Sequence, residues 1–281
     1  MATDCFEERF NIDGQSMRAR VYGNCRAQRA MPLVLHLHGG AFVGGSIETA
    51  RRVPTLLAEA GAVVISADYP LAPAHHFPQA LEAVFGLLGV LNQSRQEWAG
   101  KKSGLFVAGE EAGGNLAAGL ALMARDQQVV LAGQILLSPM LDACMATRSI
   151  RLAEAGPVGC QWADGWHQYL GSAEKAAHPY AAPLGSSRLV GVAPALIITA
   201  QDDPMRDESL AYARRLRESG VVVHDHIVPA PTRWPCALND AADAAPPWSA
   251  AVRDRFKQFF TGAAPQSAAS LSISAHARSS S

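Results

Sequence analysis

Val107-Ala108-Gly109-Glu110-Glu111-Ala112-Gly113-Gly114-Asn115-Leu116 carries an apolar run straight into a helical pattern through a turn bracketed by glycines. A turn this tight strains its central residue, and small neighbours are needed for strand and helix to meet. Outward from it, short apolar runs alternate with longer helical patterns. Residues 32–37 (PLVLHL), 62–67 (AVVISA), 104–108 (GLFVA), 132–136 (AGQIL), 195–199 (ALIIT) and 221–227 (VVVHDHI) read as strands. Most are continuous enough to be buried on both faces. Residues 50–60, 77–91, 115–125 and 209–219 carry helical spacing. The alternation predicts an α/β protein with a mostly parallel central sheet covered by helices on both faces. Residues 5–22 are expected to add a leading antiparallel pair.

The rhythm breaks between residues 141 and 187, where 156–170 (GPVGCQWADGWHQYL) places Trp162, Trp166 and Tyr169 near helical spacing with no strand following. That segment reads as a reduced cap inserted in a single domain spanning 1–260. Residues 261–281 are Ala/Ser-rich and poor in large apolar side chains, the composition of a disordered tail. At 281 residues and 49% hydrophobic composition the chain can bury one large core. With 24 basic and 25 acidic residues and no basic run, nucleic acid is excluded as a partner. No apolar run is long enough to span a bilayer, and the N-terminal residues lack the pattern of a secretory signal. The five cysteines, Cys5, Cys25, Cys144, Cys160 and Cys236, are scattered and free of CxxC spacing. That argues against a disulfide framework or a zinc site, and for a cytoplasmic compartment; no cofactor or metal is expected.

In open α/β sheets ligands lie beyond the carboxyl ends of the strands, so the loops there carry the chemistry. His38-Gly39-Gly40-Ala41-Phe42 follows the first long apolar strand, and its paired glycines let backbone N–H groups point at a developing oxyanion. A plain glycine turn is the alternative for that motif alone. The glycine-bracketed turn has the form of a nucleophile elbow, GxSxG, with Glu111 where serine is expected. Asp202 to Glu208 (DDPMRDE) follows the fifth strand, and Val228 to Trp234 (VPAPTRW) follows the last.

These motifs resemble the hormone-sensitive-lipase-like carboxylesterases of the α/β-hydrolase fold. HGGAF, 68–78 (DYPLAPAHHFP), GEEAGGNLAA, 179–184 (PYAAPL) and DDPMRDE stand in the order of the family's HGGGF, DYRLAPEHRFP, GDSAGGNLAA, PYASPL and YDPLRDE. The agreement runs from about residue 6 to 260. The resemblance implies that Asp203 is the triad acid and that Gly39, Gly40, Ala41 and Ala112 form the oxyanion hole. It also implies that Glu111 holds the nucleophile position and Arg233, in APTRWP, the position of the family's histidine base. Extra cap helices that the family carries before its first strand have no counterpart here.

A guanidinium stays protonated and cannot act as a base, so a serine-esterase mechanism is not expected. Two readings are open. In one, Glu111 pairs with Arg233 across the former Ser-to-His contact, with Asp203 beyond it, and the degenerate triad is an ion-paired plug in a pseudoenzyme. Such a protein binds a small apolar or carbonyl-containing ligand, or a protein, as the resembling gibberellin receptors do, and a homodimer is compatible with it. In the other, Glu111 is a general acid/base beside the oxyanion hole of a lyase, dehydratase or isomerase, as the resembling hydroxyisoflavanone dehydratases suggest. Ester hydrolysis by unconventional residues is a third alternative. Phe42, Glu110, Trp162, Trp166 and Trp234 are candidate pocket residues, although aromatics at helical spacing are more often packing. Trp234 is also placed to stack on or shield Arg233.

Overall fold

The computed structural model describes residues 5–25, 30–153, 157–239 and 245–262. Eight strands form one sheet in the order β1-β2-β4-β3-β5-β6-β7-β8. Strands β1 (Cys5–Ile12) and β2 (Gln15–Tyr22) are an antiparallel hairpin, and β2 pairs antiparallel with β4 (Val63–Ala67). From β4 onward, β3 (Leu33–Leu37), β5 (Leu105–Glu110), β6 (Gly133–Leu137), β7 (Ala195–Ala200) and β8 (Val223–Val228) are all parallel. Every residue of β3 to β7 is buried, which is why these strands read as unbroken apolar runs. Edge strand β8 is wet on one side and accommodates His224, Asp225 and His226.

Helices cover both faces. Against one lie α2 (Gln79–Ala99), α3 (Glu111–Asp126) and α6 (Arg206–Glu218), in a core with Leu81, Leu116 and Tyr212. Against the other lie α1 (Arg52–Glu59) and α7 (Ser249–Gly262), packed through Val53, Leu57, Val252 and Phe256 onto Phe106 and Ile198. Truncating a fully buried ring such as Phe256 to alanine typically costs about 3–5 kcal/mol. Helix α3 starts four residues before the spacing predicts, because the first turn, EAGG, is too small to show an apolar stripe. It is nevertheless wholly buried against the sheet. Helix α7 is absent from the helices expected, and it includes Thr261 and Gly262 of the expected tail. The rest of that tail, 263–281, lies outside the described residues, as do the side chain of Cys160 and residues 154–156 of the expected cap.

The inserted segment contains α4 (Arg148–Ala153), α5 (Pro157–Leu170) and two short 3-10 turns, with no strand among its described residues. The carboxyl ends of β3, β5, β7 and β8 release the four loops that carry His38–Phe42, Glu111, Asp203 and Arg233. One edge of the sheet therefore gathers the positions the motifs single out.

Candidate functional site at the elbow

Glu111 takes the left-handed conformation, φ +53°, between a buried strand and a buried helix. The turn closes because position 113 has no side chain: a Cβ there would lie 2.0 Å from the Leu37 carbonyl oxygen. The neighbouring loop is turned the same way, with Gly40 at φ +126° and Ala41 and Phe42 at +49° and +65°. Left-handed residues other than glycine cost energy and persist where their surroundings over-determine them. Here they aim successive N–H groups at one point.

That point is occupied by the Glu111 carboxylate. Its Oε2 accepts from Gly40 N at 2.5 Å, Ala41 N at 3.3 Å and Asn239 Nδ2 at 3.3 Å. Its Oε1 accepts from Trp162 Nε1 at 2.6 Å. Gly40 and Ala41 are the amides expected to receive a substrate oxyanion; the Ala112 N–H makes no hydrogen bond to the carboxylate. Burial pushes the Glu111 carboxyl above its ordinary pKa, against N–H donors from Gly40, Trp162, Ala41 and Asn239 that favour the ionised form. All four neighbours are donors, so the arrangement suits a carboxylate.

Glu110, a pocket residue by expectation, belongs instead to the buried scaffold beneath the His38–Phe42 loop. Its Oε2 accepts from the His36 Nε2–H at 2.7 Å, its Oε1 from Gly39 N at 3.3 Å, and His36 Nδ1 pairs with Ser66 Oγ at 2.9 Å. All three side chains are fully buried. Two consecutive glutamates thus hold three consecutive amides, Gly39 through Ala41. Their longer arms let both reach the loop from one turn.

Helix α5 closes the site from above. A Cβ at Gly165 would stand 2.2 Å from the Ala41 carbonyl oxygen, so this helix rests directly on the His38–Phe42 loop. One turn earlier Trp162 reaches Glu111, and one residue later Trp166 packs on Phe42 with ring centroids 4.9 Å apart. Tyr169 stacks on Phe42 at 4.1 Å. Phe42, Trp162 and Trp166 come together as expected of neighbours, but they are only 2–3% exposed and pack into the apolar core. A Cβ on Gly39 would meet both Asn239 Nδ2 at 2.5 Å and Glu111 Oε2 at 2.6 Å. The remaining side of the seat is thereby taken.

The expected ion pair between Glu111 and Arg233 does not form among the described residues. Arg233 is exposed at φ +62°, and its backbone N–H donates to Asp202 Oδ2 at 3.2 Å. Asp202 also accepts from Thr232 N and Oγ1, each at 2.7 Å. These bonds fix the loop with the guanidinium in water, where it keeps its hydration, and N–H donors serve Glu111 instead. Burial works upward on Asp202, yet those hydrogen bonds hold its pKa below the usual value. Asp203 does not face Arg233 either. Its carboxylate accepts from Ser138 Oγ at 2.7 Å, Thr199 Oγ1 at 2.5 Å and Met205 N at 2.9 Å, and burial raises its pKa. Trp234, expected in the pocket and against Arg233, instead packs edge-to-face on Trp248 at 5.2 Å in the other core layer. Asn239 is absent from the residues the motifs mark, since nothing about an Asn six residues past Arg233 singles it out before the chain folds back.

Comparison with known proteins identifies the family. A family model described as alpha/beta hydrolase fold matches residues 34–232. The chain is similar to an arylesterase of Saccharolobus solfataricus, 34% identical over 193 residues, covering 67% of this chain and 63% of that protein. It is similar to the carboxylic ester hydrolase LipN of Mycobacterium tuberculosis, 35% identical over 204 residues, covering 69% and 54%. It is also similar to gibberellin receptor GID1B of Arabidopsis thaliana, 31% identical over 208 residues, covering 69% and 57%. The chain thus spans only a little over half to about two thirds of the length of these relatives. Among solved structures, the carboxylesterase EstE1 superposes with a TM-score of 0.80 at 30% identity, covering 93% of this chain and 90% of that one. No helix among the described residues is long and apolar enough to cross a membrane. On these grounds the chain belongs to the hormone-sensitive-lipase-like family of α/β-hydrolase-fold proteins, whose similar members are for the most part named esterases.

Proposed function

We propose that this protein is a non-hydrolytic member of its esterase-like family, a pseudoenzyme that binds a small apolar ligand or a protein. One observation carries the reading: the Glu111 carboxylate occupies the seat an ester's oxyanion would need. Hydrolysis requires that seat empty, a nucleophile at the elbow and a base beside it. Here the elbow residue fills the seat, and the residue at the base position is an exposed guanidinium with no hydrogen bond or ion pair to it among the described residues. Covalent attack by Glu111 would leave an adduct with no histidine to activate water for its release. A relative named as a receptor fits a binding role.

Elimination or isomerisation with Glu111 as acid/base is the weaker reading. A base must direct a lone pair at its substrate, and this carboxylate directs its oxygens at four protein N–H groups under a closed helix. The test is steady-state release of p-nitrophenol from short-chain p-nitrophenyl esters. The reading expects no turnover above the uncatalysed rate; sustained turnover that disappears in Glu111→Ala would overturn it.

A further inference from the structure

Lateral to the elbow, beyond the carboxyl end of β4, lies a cleft of about 630 Å³ that the esterase-type reading leaves unused. The β1–β2 hairpin tip, the strip following β4 and the first turns of α2 enclose it. Its size falls in the range of small-molecule sites, about 300–1,000 Å³, and the carboxyl ends of the strands are where this architecture places ligands. Apolar surface comes from Ile12, Met17 and Ala83. Around it stand the carboxylates of Asp13, Asp68 and Glu82, and no Lys or Arg among the described residues lines the cleft.

The charges are not equivalent. Asp68 is neutralised from behind by Arg18, whose Nε and Nη2 donate to its Oδ2 at 3.1 and 2.9 Å. Asp13 and Glu82 form no ion pair among the described residues, so the cleft is left with net negative charge. No three of the described His, Cys, Asp or Glu side chains are grouped closely enough to hold a bare metal ion. The cation that fits must bring its own apolar body.

We propose that this cleft binds a small organic ammonium ion, its apolar body on Ile12, Met17 and Ala83 and its charge drawn by the unpaired carboxylates of Glu82 and Asp13. Between Asp68 and Pro70, Tyr69 turns toward the elbow, donating to the His38 carbonyl at 2.6 Å and stacking on the His38 ring at 4.3 Å. An amine in the cleft therefore leaves the Glu111 seat intact, and the proposal stands apart from the question of hydrolysis.

Titration calorimetry at pH 7 and low ionic strength tests it with three probes sharing one body: hexylammonium, 1-hexanol and hexanoate. Hexylammonium binds saturably and at least about tenfold more tightly than 1-hexanol, and hexanoate does not bind. Exposed ion pairs are weak, so Asp13→Asn with Glu82→Gln lowers hexylammonium affinity about tenfold, as does raising the salt. Both side chains are exposed, so this double variant folds as the parent does. Ala83→Trp, which fills the apolar wall, abolishes binding of hexylammonium and hexanol alike. Equal affinity for hexylammonium and 1-hexanol, unchanged affinity in the double variant, or no saturable binding of hexylammonium would each overturn the proposal.

Discussion

Replacing Glu111 by glutamine removes the charge while keeping the shape, and the four donors around the carboxylate set the energetic cost. Glutamine offers one acceptor and one NH2. With its oxygen toward Gly40, Ala41 and Asn239, the NH2 meets the Trp162 N–H, donor against donor at a separation that is 2.6 Å in the parent. Leaving a buried donor unsatisfied costs about 1–3 kcal/mol. Losing the charge weakens the other three bonds, while relieving the desolvation that raises the Glu111 pKa offsets part of the loss. The net expectation is a destabilisation of about 1–3 kcal/mol, a fall in melting temperature of roughly 2–4 °C for each kcal/mol. In a Trp162→Phe background the opposing donor is gone, so the same glutamine costs about 1–2 kcal/mol less. Urea unfolding of the four proteins of this double-mutant cycle, followed by far-UV circular dichroism at pH 8, measures that coupling. Additivity of the two substitutions within about 0.3 kcal/mol, or a glutamine variant more stable than the parent, would refute the reasoning.

The same geometry sets three further outcomes. Glu111→Ser opens the seat but gains no base, so p-nitrophenyl acetate hydrolysis stays at background; clear activity in this single variant would mean that another group supplies the base. Gly165→Ala drives a methyl into the Ala41 carbonyl and costs about 1–3 kcal/mol in urea unfolding, whereas an unchanged midpoint would show that α5 does not bear on the loop. Glu208, wholly buried, accepts from Leu141 N and Asp142 N at 2.7 and 2.8 Å at the start of the insertion, and burial pushes its pKa up to about 8. A raised carboxyl pKa means that the native state binds the extra proton, so this contribution to stability is complete below the unfolded value near 4.5 and is lost as pH rises toward 8. Its upper bound is about 5 kcal/mol. Glu208→Gln keeps an acceptor for both amides and flattens the fall between pH 5 and 8; an equally steep fall in the variant would assign it to other groups.

Much of the fold is legible in the sequence because β3 to β7 are buried on both faces, which forces unbroken apolar runs, and because glycines mark the elbow. The position of Glu111 is legible for the same reason. Its partners are not. The family resemblance implies Gly40 and Ala41 as donors, but whether a carboxylate turns to those amides or to Arg233 depends on how Asp202 pins the last loop and how far α5 descends. Trp162 is visible only as an aromatic at helical spacing, and Asn239 as nothing at all, since both meet Glu111 through tertiary packing. Glu110 misleads because a carboxylate beside an elbow suggests a pocket, whereas the buried His36 that claims it sits on a strand 74 residues earlier. Helix α7 escapes notice because its apolar face, Val252, Phe256, Phe259 and Phe260, is short and lies next to the Ala/Ser-rich end.

The claim that the elbow carboxylate fills the oxyanion seat is tested most directly by a crystal structure of the wild-type protein grown in acetate. The account predicts Glu111 Oε2 within hydrogen-bond distance of Gly40 N and Ala41 N, Oε1 on Trp162 Nε1, and no acetate on those amides. Glu111 turned out of the seat, with acetate or water bound to Gly40 N and Ala41 N in its place, would contradict it.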